Sequence, residues 1–447
     1  MKTRNHLTMT TLLLVFLVSS IGWGQMGQMA TAAMQKDKKS IPIGFGATVI
    51  DGQLWYLVNI APELSFGKLG IGLDLNLRYG PADSANKKIR TEDFDEGYDY
   101  LRIIRYVRWG QKGDYFYIRL GQLDYSRLGH GFIMYNYRNK ASYDLRKLGV
   151  ELDVDFEKFG LESMYSDFAG RGILGLRGHV RPLKFTSAAD IPVIGGFETG
   201  ATFAVDLHKN ANKIYVGGTN PVDDRGSLSV FGLDLGLPII SLSMLKSTLY
   251  FDYAKITGYG SGMATGIDLN FSGMGLLGIS AKYERRFINE KFIPSYFDAQ
   301  YERDRFVPLD SVNFVSKAMA LENAPKMEGY YGELLISILN TFNIVGGYQS
   351  PVGIPNAGIL HMELQTGDAI PIVQLSAGYD KRNIGRVFVV DNNSILYATV
   401  GYKPYPFLLV SMLYEWTFTE RKNDNGDVVG YDTQKRVEPK VSLVINF

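Results

Sequence analysis

The chain has no cysteine. That excludes disulfides and thiolate metal sites, and it excludes a lipid-anchored lipoprotein, which needs a Cys at its cleavage point. An exported chain of this size must be held together by other means, and a closed, hydrogen-bonded sheet in lipid is one. Strong net charge is missing as well: the formal charge is +1, and losing the two cations Lys2 and Arg4 takes it to −1. Such a balance gives no ground for nucleic-acid or polyanion binding. Beyond residue 24 no run is long and apolar enough for a transmembrane helix, which argues against a helical membrane protein. Histidine is scarce. His130, His179, His208 and His361 are the four past residue 24, and none sits beside a serine in a hydrolase-like pattern. His208 lies close to Asp206, which leaves a catalytic pair open. His179 stands between Arg177 and Arg181 in a strand-like stretch, where a wall position is the plain reading. No enzyme and no cofactor are expected.

What is present begins with an export signal. Lys2 and Arg4 precede the apolar run Leu12 to Ile21, followed by small residues. This is the pattern of a secretory signal peptide over 1–24, cleaved after Gly24. Ala30-Thr31-Ala32 is an alternative site farther downstream. The run is too short, and too soon broken by Gly and Gln, for a membrane anchor. Residues 25–40 form a polar leader without a strand pattern, too short for a plug domain.

From there a two-residue period recurs. Leu73, Leu75, Leu77 and Tyr79 alternate with Asp74, Asn76 and Arg78. Phe116, Ile118 and Leu120 alternate with Tyr115, Tyr117 and Arg119. Val150, Leu152 and Val154 alternate with Glu151, Asp153 and Asp155. Leu277, Ile279, Ala281 and Tyr283 alternate with Ser280, Lys282 and Glu284. Leu408, Val410, Met412, Tyr414, Trp416 and Phe418 are set against Ser411, Glu415 and Thr417. Charges at every other position are intolerable in a strand buried on both faces, and comfortable with lipid on one side and water on the other. The modest 46% apolar content fits, since only alternate residues would face lipid. Aromatics near strand ends, such as Trp109, Tyr283 and Trp416, suit interfacial girdles.

The last strand has the same pattern. Val441, Leu443, Ile445 and Phe447 share one face; Lys440, Ser442 and Asn446 share the other, with Val444 the apolar exception. This strand resembles the closing strand of bacterial outer-membrane β-barrels. The resemblance implies an all-β fold, a closed antiparallel transmembrane β-barrel over 41–447. It also implies that the C-terminal aromatic, Phe447, belongs to the signal read by the barrel-assembly machinery. The expected partners are outer-membrane lipid, lipopolysaccharide, that machinery and small solutes.

Short connections are expected at Gly67-Lys68, Gln111-Lys112-Gly113, Glu157 to Gly160 and Lys403-Pro404-Tyr405. Long polar ones are expected at 80–97, 124–143, 208–227, 303–326 and 421–435. Short turns on one side and long loops on the other is the outer-membrane arrangement. Span length and turn spacing give roughly 18 strands, within a range of about 16 to 20. Up/down parity fails between 183 and 245, around Ile191 to Phe197 or Gly236 to Ser243.

Four stretches are candidate sites. The first is a set of inward charges. Tyr98, Tyr100, Arg102, Tyr106 and Arg108 fall on one parity of a strand Tyr98 to Trp109, and Arg119 on the next. Neighbouring strands pair at about 5 Å, so these arginines form a basic ladder, against which Asp74, Glu151 and Asp153 supply acid and Lys282 and Glu284 add both signs. Such charges either tune solute passage or satisfy one another in a narrow lumen. Arg105 falls on the lipid-facing parity, which a bulge or interfacial position explains. The second is Leu128 to Tyr137, where Gly129 and Gly131 flank His130. With Arg127, Tyr135 and Arg138 it suits a constriction loop folded inward, or else an ordinary surface loop. The third is Phe292 to Glu302, read as a substrate contact or as a strand with an interfacial aromatic belt. The fourth is Asn423 to Asp427. It lacks the distal Glu of a calcium loop and reads as an Asn-Gly hairpin turn. The cluster Glu92, Asp93, Asp95, Glu96 and Asp99 is a divalent-cation candidate or a solvated loop. No metal is expected to be required.

The leading expectation is porin-like passage of small hydrophilic solutes. The alternatives are a non-conducting structural or partner-binding barrel, and a transporter of hydrophobic compounds, against which the charged inward parity argues.

Overall fold

The computed structural model describes residues 40–446, apart from 51–52, 81–88, 96, 102, 141–146, 217–221, 274–275, 309–312, 340, 367–369, 371, 386, 406–407 and 424–427. The signal peptide, residues 25–39 of the leader, Arg102 and Phe447 lie outside the described residues.

Alternating strands make a sheet with two unlike faces, and one antiparallel sheet of 22 strands takes up most of the described chain. Gln53–Ile60 and Glu63–Phe66 are two halves of one strand, broken at Ala61-Pro62; Leu69–Leu73 and Leu75–Tyr79 are two halves of the next. Their shared register, Tyr56↔Tyr79, Ile60↔Leu75, Glu63↔Gly72 and Phe66↔Leu69, runs unbroken through both. Counting each as one crossing, two fewer than the 22 strands, leaves about twenty, the top of the expected range rather than 18. Each strand pairs with the next in the sheet. The last, Val428–Asn446, pairs with the first, Ser40–Ile50, from Ser40↔Asn446 to Phe45↔Val441. The ladder thus returns to its start, and one face becomes an inside.

The outside is apolar, and the inside holds the buried charges, with apolar wall residues such as Ile256 and Ile288 where loops cover it. Phe231, Leu233 and Tyr283 are more than half exposed on the outer face, whereas their neighbours Asp234 and Glu284 are 4% and 0% exposed on the inner one. A water-soluble sheet would reverse this. Inward glycines make room for long neighbours: a Cβ at Gly266 would lie 2.3 Å from Cζ of Tyr250, and one at Gly378 2.1 Å from Cζ of Tyr397.

The connections sort by end. One end carries 80–103, 122–148, 207–227 and 289–326. The other carries the turn at Gly67-Lys68, 110–115, 156–158, 242–244 and both ends of the described chain. Several expectations need correcting. Gly97–Leu101 is helical, so the strand there starts at Ile104 rather than Tyr98. Ile191 to Phe197 belongs to a run of 3-10 turns, while 236–241 ends the strand Leu228–Ser241; this restores the parity lost between 183 and 245. The strand Ser394–Tyr405 runs through the expected turn at 403–405. The expected loop 421–435 is mostly strand, because Leu408–Lys422 and Val428–Asn446 extend as a 15- and a 19-residue hairpin. Arg105 sits at a register shift between Gly72↔Tyr106 and Leu73↔Ile104, and pairs with Glu63.

Candidate functional site

Three long loops from one end turn into the interior and build an apolar core there. Leu128, Phe132, Met134 and Tyr137 of the first pack with Phe292, Tyr296, Phe297 and Tyr301 of the third and with Ile214 of the second. Burying a loop requires that its backbone polar groups find partners. Here two loops supply each other. Tyr135 N–H donates to the Phe297 carbonyl (3.1 Å), Phe297 N–H to Ile133 (3.2 Å) and Ser295 N–H to Phe132 (2.7 Å). Gly131, at φ +97°, faces the Tyr135 ring, where a Cβ would lie 2.6 Å from Cδ2. Residues 128–137 therefore lie inward, packed against the third loop. Phe292 to Glu302 is neither strand nor interfacial belt; it is a second inward segment ending in the helical turn Tyr301–Asp304.

The constriction-loop candidates reach the wall. The His130 ring stacks on Tyr250 at 4.3 Å, with Nδ1 3.2 Å from Asp252. The Tyr135 hydroxyl donates to Glu333 at 2.6 Å. Arg138 lies over the Tyr125 ring at 4.7 Å. Burial works to lower the pKa of Arg127, but the nearby Asp268, Tyr135 and Glu162 outweigh it and hold the guanidinium above its ordinary range.

All seven described charges expected on the wall point inward, and each is at most 9% exposed. Lys282 donates to the His130 carbonyl and lies 2.9 Å from Glu284. Glu284 also takes Arg286 (2.6 Å) and the Tyr250 hydroxyl (2.9 Å). Covered by the loop, Lys282 and Glu284 do not line an open passage. Arg108 and Arg119 are direct cross-strand partners, but they are not a bare basic ladder. Arg119 donates to Asp124 (2.9 Å) and the Gln122 carbonyl (2.8 Å) and lies 4.2 Å over the Tyr106 ring; Arg108 donates to the Gly110 carbonyl (2.7 Å). Glu151 and Asp153 share Lys112 at 2.5 and 3.0 Å, and Asp74 accepts from Asn59 at 2.6 Å. On this side the charges satisfy one another.

The other candidates also resolve. The His208 ring accepts from the Asn210 N–H (3.1 Å), while the Asp206 carboxylate is taken by Arg305 (2.7 Å) and Tyr301 (2.8 Å), so the two side chains are not a pair. His179 stands on the inner wall, 3.3 Å from Arg177. Asp93 is neutralised by Arg78 at 2.9 Å and by Arg90. Glu96 and residues 424–427 of the hairpin turn lie outside the described residues. Among the described residues no three His, Asp or Glu side chains gather as metal ligands.

Two buried ion-pair clusters add to these, one of them involving Asp298 of the stretch Phe292 to Glu302. Arg177 binds Glu162, Glu198 and Asp234, each within 2.7 Å. Lys317 and Asp298, 1% and 0% exposed, meet at 3.0 Å inside the loop core. Alternation already puts Arg177 and Asp234 inward; Asp298 carries no sequence signal beyond a charge among aromatics.

The filling is one-sided. Among the described residues, the apolar loop core takes nothing from the chain beyond Met327. On the strands from Phe342–Val352 to Leu408–Lys422, the inward-facing Gln349, Glu363, Gln365, Tyr397, Thr399 and Glu415 are only half-buried. The Tyr397 hydroxyl donates to Glu363 at 3.0 Å, and His361 meets Asp380 at 2.6 Å.

No known family pattern matches the chain, and no curated protein does. Solved structures do. Wzi, a carbohydrate-binding β-barrel involved in group 1 capsule assembly in Escherichia coli, matches at 11% identity and a TM-score of 0.36, over 94% of this chain and 86% of its own. OccK11 (OpdR) of Pseudomonas aeruginosa matches at 10% and 0.33, over 91% and 93%. The ferric-catecholate import receptor Fiu of E. coli matches at 9% and 0.37, over 92% and 82%. These neighbours are outer-membrane β-barrels of differing roles. Scores this low carry no argument about what this chain does.

Proposed function

We propose that the chain is a closed β-barrel of the bacterial outer membrane that passes small hydrophilic solutes along the side of its interior left free by the inward loops. The observation that carries this reading is the asymmetry: a packed apolar core against one arc of the wall, and half-buried polar side chains on the other. Solutes would meet Glu363, Gln365, Thr399 and Glu415 rather than Lys282 and Glu284. Selection would be by size and by the field of these groups.

Support for the membrane setting is physical. The apolar outer face suits hydrocarbon, the first and last strands leave no open edge, and the four longest connections share one end, with 181–197 at the other. Export by the signal peptide, assembly through the C-terminal strand and contact with lipid and lipopolysaccharide belong to the same proposal. It assigns the chain no catalytic step.

The buried loop core favours a second reading, a non-conducting barrel that binds partners. Single-channel recording of the refolded protein under a salt gradient separates the two. Steady, discrete openings support passage; a folded, heat-modifiable barrel that never conducts supports the second reading. The polar free side argues against carriage of hydrophobic compounds.

A further inference from the structure

Lys381 breaks the pattern of the outer face. On the strand Val373–Arg382 the Asp380 side chain turns inward to His361, so Tyr379 and Lys381 stand on the outward parity with Leu375. Yet Lys381 is 1% exposed. Its ammonium donates to the Val389 carbonyl, to Asp391 (2.7 Å) and to the Ser394 hydroxyl (3.3 Å), while the Tyr379 hydroxyl donates to the Val387 carbonyl (2.7 Å). The connection 383–393 therefore folds down over the outside of the wall, not over the interior. In place of the lysine it turns outward Val387, Phe388 and Val389. Phe388, at 81%, is the most exposed large apolar side chain among the described residues. The neighbouring hairpin adds Val352, at its strand end, and Ile354, and the Ile384 N–H ties the two connections at the Gly358 carbonyl (3.3 Å).

We propose that residues 387–389 form a wedge seated in the lipid leaflet at the long-loop end, pinned there by Lys381. The inference rests on the barrel reading above. Lipid is favoured as the occupant because the wedge lies over the outer face on which the apolar Tyr348 and Leu364 are exposed. A bare ammonium on that face is costly, and the loop removes the cost by covering it and supplying Asp391. The bonds to Lys381 and Tyr379 also fix the loop backbone, so the apolar tip cannot turn away from its surroundings.

The absence of cysteine makes the test clean. Phe388→Cys, Leu364→Cys and Lys209→Cys are each labelled with a nitroxide in phosphatidylcholine vesicles, and collisions with oxygen and with a water-soluble nickel chelate are compared. Lys209, exposed in a loop at the same end, is the aqueous control. The proposal expects positions 388 and 364 to favour oxygen and position 209 the chelate. Position 364 in lipid with 388 open to the chelate overturns the wedge and leaves the barrel standing. Position 388 shielded from both reagents overturns it in favour of a protein partner or a second copy. Position 364 open to the chelate overturns the barrel reading itself. Adding Lys381→Met to the 388-labelled protein should raise the label's mobility; unchanged mobility overturns the pin.

Discussion

Arg177 reaches across a whole strand to Asp234. The strand Glu198–Asp206 lies between theirs, yet the guanidinium makes two bonds to the carboxylate, Nε to Oδ2 at 2.9 Å and Nη2 to Oδ1 at 2.6 Å. Gly200 on the middle strand allows it: a Cβ there would lie 2.5 Å from Asp234 Oδ2 and 2.7 Å from Arg177 Nη2. Glu162 and Glu198 complete the set, with Glu198 shared with Arg181 at 2.8 Å, so Asp234 is the carboxylate that depends most on Arg177.

Arg177→Met should therefore be severe. It strips the buried Asp234 of the cation that holds both its oxygens, a cost of about 3–5 kcal/mol when a buried pair is broken. Gly200→Val should cost a comparable amount by forcing the pair apart. Arg285→Met, whose partner Glu328 is half exposed, should cost under about 1 kcal/mol. Denaturant midpoints of the three purified variants give the comparison.

The Lys317–Asp298 pair predicts a pH dependence. Burial pushes the Asp298 carboxyl above its ordinary value, and Lys317 pulls it back only in part. A raised folded value means that the contribution is present below the unfolded value and lost as pH rises through the folded one. Lys317→Met removes the pull and raises Asp298 further. Its deficit should be largest near neutral pH, about 3–5 kcal/mol, and should shrink as pH falls toward about 4. Unfolding midpoints measured across that range check the sign.

Glu363 and Glu415 should set ion preference if the free side is the passage. Glu363→Gln with Glu415→Gln should shift the reversal potential under a salt gradient toward anions. Each charge acts through water, at about 1 kcal/mol at 4 Å, so a change of several-fold in the permeability ratio is expected. Neutralising Glu284 instead, under the loop, should leave the ratio of any folded protein unchanged.

How much of this was legible follows from what alternation encodes. Period two assigned a face to each strand residue, and it placed Arg108, Arg119, Glu151, Asp153, Lys282 and Glu284 inward, where they are. It could not say what covers them, because the covering residues are in loops. Nothing in the order of Phe292 to Glu302 distinguishes a strand with an aromatic belt from a segment buried against Ile133 and Tyr135. That outcome depends on pairing with a loop some 160 positions away in sequence, as in Ser295 Oγ to the Gly131 carbonyl. The polar run 421–435 reads as loop for the opposite reason: the 15- and 19-residue hairpin strands continue through residues with little apolar period. The outward fold of 383–393 left no sequence signal except a lysine on the wrong parity.

The central claim is that the inward loops narrow, but do not close, the interior. Single-channel conductance of the parent protein, beside a variant in which 128–137 is replaced by a Gly-Ser linker, tests it most directly. The account predicts small, discrete openings for the parent and larger ones for the variant. A parent that is silent, or a conductance that loop removal leaves unchanged, would contradict it.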